Sequence, residues 1–109
     1  MNVVPLDTLT LARLTELLNT SFRTFAGHAA EMPLVLAQVV PGPATNCGGL
    51  QYESFSLVFH GPEKPLLPQG TRRFEHDHLG SFDLFIVPIG QEAGLTKYEA
   101  VFNRLVRPA

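Results

Sequence analysis

The chain has 109 residues, 45% of them hydrophobic and 17% charged, with a formal net charge of −2. So many apolar residues can offset chain entropy, which excludes an intrinsically disordered chain, and the length suits one domain burying roughly two thirds of its unfolded surface. The charge balance disfavours a phosphate-tracking surface, because the only basic run is Arg72-Arg73, with Arg104 and Arg107 scattered beyond it.

A single cysteine, Cys47, rules out an internal disulfide and fits a reducing compartment, so a cytoplasmic protein is expected. Met1 to Pro5 lack the basic and apolar regions of a signal peptide, and no apolar run approaches the ~20 residues of a membrane span. Neither nucleic acid nor membrane is an expected partner. A single domain is expected over residues 1–109, with a helix at 8–18 and antiparallel strands over 21–105.

In chain order, Leu9, Leu11, Leu14, Leu17 and Leu18 fall mostly on one helical face, with Thr8 or Thr10 as N-cap and Asn19 and Thr20 as stop residues. A helix this short is marginal alone, so its leucine stripe must dock on something. Ser21 to Ala26 and the aliphatic run Pro33 to Val40 read as strands. Pro41 to Gly49, rich in glycine and proline, reads as the longest loop.

Tyr52 to His60 alternates, with Phe55, Leu57 and Phe59 on one face and Ser56 and His60 on the other. After the breaker Gly61 to Pro65, Thr71 to Glu75 and Ser81 to Ile89 read as a hairpin connected by His76 to Gly80, with Gly80 at a left-handed position. The second arm is apolar on both faces after Asp83, which predicts a central strand covered on both sides. Pro88 cannot donate to a ladder, so regular pairing is expected to end there. Gly90 to Gly94 is the next turn. Lys97 to Arg104 then places Tyr98, Ala100 and Phe102 inward and Lys97, Glu99 and Asn103 outward, with Val101 breaking the pattern. The expected fold is mostly β (α+β): six mainly antiparallel strands in a small barrel or curled sheet, plugged by the N-terminal helix.

Several of these strings carry a family resemblance. Phe55-Ser56-Leu57-Val58-Phe59-His60-Gly61-Pro62, Leu67-Pro68-Gln69-Gly70-Thr71, Glu75-His76 and Leu79-Gly80 resemble an uncharacterised family of short stand-alone bacterial domains of unknown function. Leu84 to Gly90, Tyr98 to Asn103 and the helix start Leu9-Thr10 extend the likeness over nearly the full length. Genes for such domains often lie beside those of phage-tail-collar-type fibre proteins. The resemblance therefore implies an accessory, assembly or attachment role, with a fibre or collar protein as partner. It transfers no catalytic residue. Asn46-Cys47-Gly48-Gly49 and Arg72-Arg73 depart from the family pattern.

Candidate chemistry is sparse. His76 and His78 would share one face of a strand, a spacing used in β-barrel metal sites, with His60 or His28 as further ligands. Turn polarity alone also accounts for Glu75 to His78, with His76 holding the turn by a hydrogen bond. Cys47 would need a lowered thiol pKa and a positioned base to act as a nucleophile, and the sequence shows neither. Glu53, Glu75, Asp83 and Glu99 read as solvated outward positions rather than acid–base pairs. No phosphate-cradling glycine motif and no Gly-x-Ser-x-Gly elbow is present.

Two readings follow, and neither calls for a cofactor. The first is a non-enzymatic domain that touches a protein partner through Leu66, Leu67, Arg72 and Arg73. The second is a small barrel binding a metal or ligand, and even catalysing a reaction, through His60, His76 and His78. An interior packed with Phe, Leu and Val would favour the first, and a polar cavity the second.

Overall fold

The computed structural model describes residues 11–26, 30–42, 45–47 and 50–106. Helix α1 spans Leu11–Glu16 and is followed by seven strands: β1 Ser21–Ala26, β2 Ala30–Pro41, β3 Thr45–Cys47, β4 Leu50–Pro62, β5 Gly70–His76, β6 Gly80–Glu92 and β7 Leu95–Val106. Thr8, Leu9 and Thr10, where the sequence places the helix start, lie outside the described residues. The helix ends at Glu16, short of the expected Leu18, and a turn carries the chain to Asn19. Asn19 takes a left-handed φ of 66° just after the last turn, a conformation that asparagine tolerates better than most residues.

Six strands close a barrel in the order β1–β2–β4–β7–β6–β5 and back to β1, every neighbour antiparallel. The longest ladder joins β4 to β7, from Gln51 opposite Val106 to Pro62 opposite Leu95. The closing seam is thin by comparison. Among the described residues a single cross-strand pair, Arg23 with Glu75, joins β1 to β5, supported by a 2.9 Å hydrogen bond from Thr24 Oγ1 to the Arg73 carbonyl.

The seventh strand corrects the reading of Pro41 to Gly49 as a loop throughout. Thr45–Cys47 pairs with the first residues of β4, on the edge that β2 leaves after Pro41 meets Phe55. That stretch of β4 has unpaired backbone groups to offer, and unpaired edges recruit strands even from segments of low β-propensity.

Inward and outward faces follow the alternation read from the sequence. Phe55, Leu57 and Phe59 of β4 and Tyr98, Ala100 and Phe102 of β7 are buried, as are Phe22, Leu34, Leu36, Phe74, Phe82, Leu84 and Ile86 from the other strands. Aromatic rings fill the barrel. Phe22, Phe59, Phe74 and Phe82 stand in edge-on and offset contacts 5.3–6.2 Å between centroids, and Phe55 stacks on Phe102 at 4.8 Å. Leu14 of α1 is buried in the same core, with Leu11, Leu17 and Leu18 packed against it. The helix is thus the docked plug that its leucine stripe predicts.

Two bulges adjust the walls. One extra residue on β2, Ala37, lies between the pairs Leu36–Phe59 and Gln38–Val58, so Val39 joins the core instead of Gln38. The other falls at Ile89, between the pairs Pro88–Tyr98 and Gly90–Lys97. Pairing therefore does not stop at Pro88. It shifts by one residue and resumes to Glu92, because a bulge absorbs the missing N–H donor. The turn that follows is Ala93-Gly94 alone, both residues at positive φ, rather than the whole of Gly90 to Gly94.

The expectation for Phe82 to Ile89 also needs correction. A closed barrel has no central strand, and β6 is covered on its inner face only. Phe82, Leu84 and Ile86 are buried, whereas Phe85 and Ile89 on the outside are about half exposed, at 54% and 50%.

Candidate functional site

The sequence-predicted partner residues separate in space. Leu67 is buried and its amide donates to Tyr98 Oη at 3.0 Å, so this half of the apolar pair folds back on the core. Leu66 is exposed and lines a shallow groove with Pro88, Gly90 and Gln91. Arg72 and Arg73, adjacent on β5, point to opposite faces. Arg73 lies outside in an ion pair with its cross-strand partner Asp83 at 2.6 Å. Arg72 shares the face of Phe74 and His76, donates through Nη2 to the Pro68 carbonyl at 3.1 Å, and buries an Nε that has no hydrogen-bond partner among the described residues. The two arginines do not form a joint basic patch.

The histidines are separated in the same way. His60 is on the outward face of β4, opposite Val35 and Lys97. His76 is buried at the end of β5, and His78 is exposed in the turn that follows. Both ring nitrogens of His76 are occupied. Nδ1 accepts the His78 amide at 3.0 Å, and Nε2 lies 3.0 Å from Thr20 Oγ1. Thr20 spends its own hydroxyl proton on the Leu17 carbonyl at 2.6 Å. An Nδ1 that accepts and a threonine oxygen free only to accept together fix His76 as the neutral Nε2–H tautomer. Burial holds its pKa below the ordinary value, helped by His78, Arg23 and Arg13 and partly countered by Asp77. The hydrogen bond that the sequence offered as the plainer role of His76 is therefore present. Among the described residues no three His, Cys, Asp or Glu side chains are gathered as metal ligands. His28 and the side chains of Cys47 and Glu53 lie outside the described residues.

The other carboxylates do not converge either. Glu75 and Asp77 flank Arg23, with Asp77 Oδ1 3.0 Å from Nη1, while Asp83 is engaged with Arg73. Glu99 faces outward between Val58 and Val87.

What the sequence reading missed is the outer wall. Val40, Ser56 and Val101 form one cross-strand row over β2, β4 and β7, and Val40 and Val101 are exposed, Val101 at 68%. Val87 of β6 pairs with Glu99; two residues further along the same antiparallel strands stand Phe85 and Val101. Phe85, Val87 and Ile89 continue the apolar surface down β6. The signals were in the sequence, in Val101 as the exception to its strand's alternation and in the second apolar face of β6. An exposed apolar area spanning several strands is characteristic of a surface that meets another molecule.

No curated protein and no solved structure matches the chain. A family model does match, over residues 9–102, which covers α1, β1 to β6 and β7 as far as Phe102. The chain belongs to the family described as Domain of unknown function (DUF6916).

Proposed function

We propose that this chain is a non-enzymatic protein-interaction or structural accessory domain that docks a partner on the outer wall formed by β2, β4, β7 and β6. The observation that carries this reading is the contrast between the two sides of that wall. Inside, Phe and Leu side chains fill the space where a ligand would sit. Outside, Val40, Val101, Phe85 and Ile89 face solvent. Interface centres favour such apolar and aromatic side chains and are depleted in charge.

The family resemblance adds a candidate partner, a phage-tail-collar-type fibre protein, for which the domain would serve in assembly or attachment. A metal- or ligand-binding barrel working through His60, His76 and His78 gains less support, because His60 lies outside the wall and both nitrogens of His76 are committed.

The test is co-expression with the product of each adjacent gene, any fibre protein among them included, with a photo-crosslinking residue at position 101 or 85. Co-purification, with crosslinks from these positions and none from exposed position 21 on β1, across the barrel from β7, supports the proposal. Failure to co-purify with every adjacent gene product overturns the fibre reading. Crosslinks confined to other faces overturn the docking wall.

A further inference from the structure

The end of the barrel that α1 covers is held by a small set of polar contacts, and His76 is at their centre. The helix and its last turn meet the β5–β6 turn at two points. Arg13 Nη2 donates to the His78 carbonyl at 3.0 Å, and Thr20 Oγ1 accepts from His76 Nε2 at 3.0 Å. Beneath them Leu14 and Leu79 are buried in the same core cluster as Phe22 and Phe82. The β5–β6 turn keeps its shape through two further bonds, His78 N–H to His76 Nδ1 at 3.0 Å and Leu79 N–H to the His76 carbonyl at 3.2 Å.

We propose that His76 is the acid-sensitive catch of a lid made of α1 and the β5–β6 turn. Proton uptake at Nδ1 releases the turn and its hold on the helix, while the barrel walls stay paired. The helix stays hinged to β2 by the Asn19 N–H to Leu36 carbonyl bond at 2.7 Å and the Leu36 N–H to Thr20 carbonyl bond at 3.1 Å. The neutral ring has one free lone pair, on Nδ1, and the His78 amide already points at it. A proton bound there sets two N–H donors against each other and removes that hydrogen bond. The Nε2–H to Thr20 survives, so the turn moves first. His78 carries the carbonyl that anchors Arg13, and Leu79 carries the apolar contact beneath the helix, so a shift of the turn loosens both holds.

The charges around the ring set the direction. Arg13 from α1, Arg23 from β1 and His78 from the turn oppose an imidazolium at this place, and burial opposes it most. Asp77 favours it but is tied to Arg23 at 3.0 Å, and Glu75 also lies near Arg23. The Phe22 ring, 4.4 Å from that of His76, favours a cation as well, without replacing the lost acceptor. His78 is exposed, and its ring lies 5.7 Å from that of His76. Opening the lid uncovers Phe22, Phe82 and Leu79, an apolar mouth distinct from the outer wall.

The experiment is amide hydrogen exchange by NMR on the full chain at about pH 7.5 and about pH 5, either side of the ordinary histidine range and corrected for the intrinsic rate. Protection at His78, Leu79, Leu17 and Leu18 should fall about tenfold or more, while Leu57, Phe59 and Ala100 in the walls keep theirs. His76→Asn, whose Oδ1 replaces Nδ1 as a pH-independent acceptor, should abolish the difference. Unchanged protection at the lid, equal loss in lid and walls, or a pH dependence that persists in His76→Asn overturns the proposal. If that variant does not fold, the ring ¹⁵N shifts of the wild type decide. A bare Nδ1 at neutral pH that gains its proton as lid protection falls supports the catch, and a protonated Nδ1 at neutral pH overturns it.

Discussion

Tyr98, wholly buried in β7, accepts through its Oη a hydrogen bond from the main-chain amide of Leu67 at 3.0 Å. The bond ties the Glu63 to Gln69 connection to the barrel core and explains why one leucine of an adjacent pair turns in while the other stays out. Tyr98→Phe keeps the ring but leaves a buried amide unsatisfied. We expect a loss of about 1–3 kcal/mol in urea unfolding, with the largest shifts in NMR spectra at Leu66 and Leu67. A change confined to β7 would contradict this account.

Gly61 lies on β4 where an added methyl would collide with Leu34 Cδ2 and press on Tyr98. Both neighbours are fully buried, so Gly61→Ala overpacks the core and should cost about 1–3 kcal/mol. Shortening the obstacle should recover part of the loss. In a double-mutant cycle, Gly61→Ala in a Leu34→Val background should cost less than in the wild type, and additive effects would show that the clash is not the cause.

Ala93 takes a φ of 54° and Gly94 a φ of 76°, the pattern of a two-residue type I′ hairpin turn between β6 and β7. Alanine gains nothing in that left-handed region and carries a steric cost that glycine or asparagine avoids. Ala93→Asn and Ala93→Gly should each raise stability by about 0.5–1 kcal/mol, seen as a higher urea midpoint at unchanged m-value.

The pH dependence of global stability follows from His76. Its folded pKa lies below the ordinary value of 6.5, so near and below that value the unfolded chain binds more protons than the folded one. Its stabilising contribution is complete above 6.5 and is lost as pH falls from there through the folded pKa. Urea midpoints for the wild type and His76→Asn measured from about pH 8 to about pH 5 should converge or cross on the acid side. Parallel curves would show that other groups govern the loss.

On the outer wall, Phe85→Thr and Val101→Thr remove apolar surface without touching the core. Each should leave stability within about 1 kcal/mol of wild type, since both sites are exposed and threonine suits a strand. Together they should abolish capture of the partner in the co-purification assay, while Ser21→Arg on β1, across the barrel from β7, leaves it intact.

The inward face was legible in advance because period-two alternation is a direct record of burial. Phe55, Leu57 and Phe59 and then Tyr98, Ala100 and Phe102 were assigned inward from the sequence and are buried. The docked helix was legible for a similar reason, in leucines that had no other way to leave water. Less could be read where meaning depends on distant residues. Leu66 and Leu67 are chemically alike, and only Tyr98, about thirty positions away, separates their fates. Thr20 gave no sign of holding a histidine that lies 56 residues further along the chain. The second apolar face of β6 resembled a buried strand because an exposed apolar side chain and a buried one look the same in one dimension.

The thin seam between β1 and β5 has a consequence for how the chain assembles. The pairs β5–β6 and β6–β7 are sequence neighbours joined by short turns and can zip up locally, as can β1–β2. The long β4–β7 ladder must wait for the meander between its partners, and the Arg23–Glu75 junction spans about fifty residues of chain for one bridging pair. Loop-closure entropy therefore sets a sequence of events in which the cylinder remains an unrolled sheet until late. Closure at Arg23 is expected to come late, and the same junction is where the folded cylinder should first unroll under mechanical or chemical load.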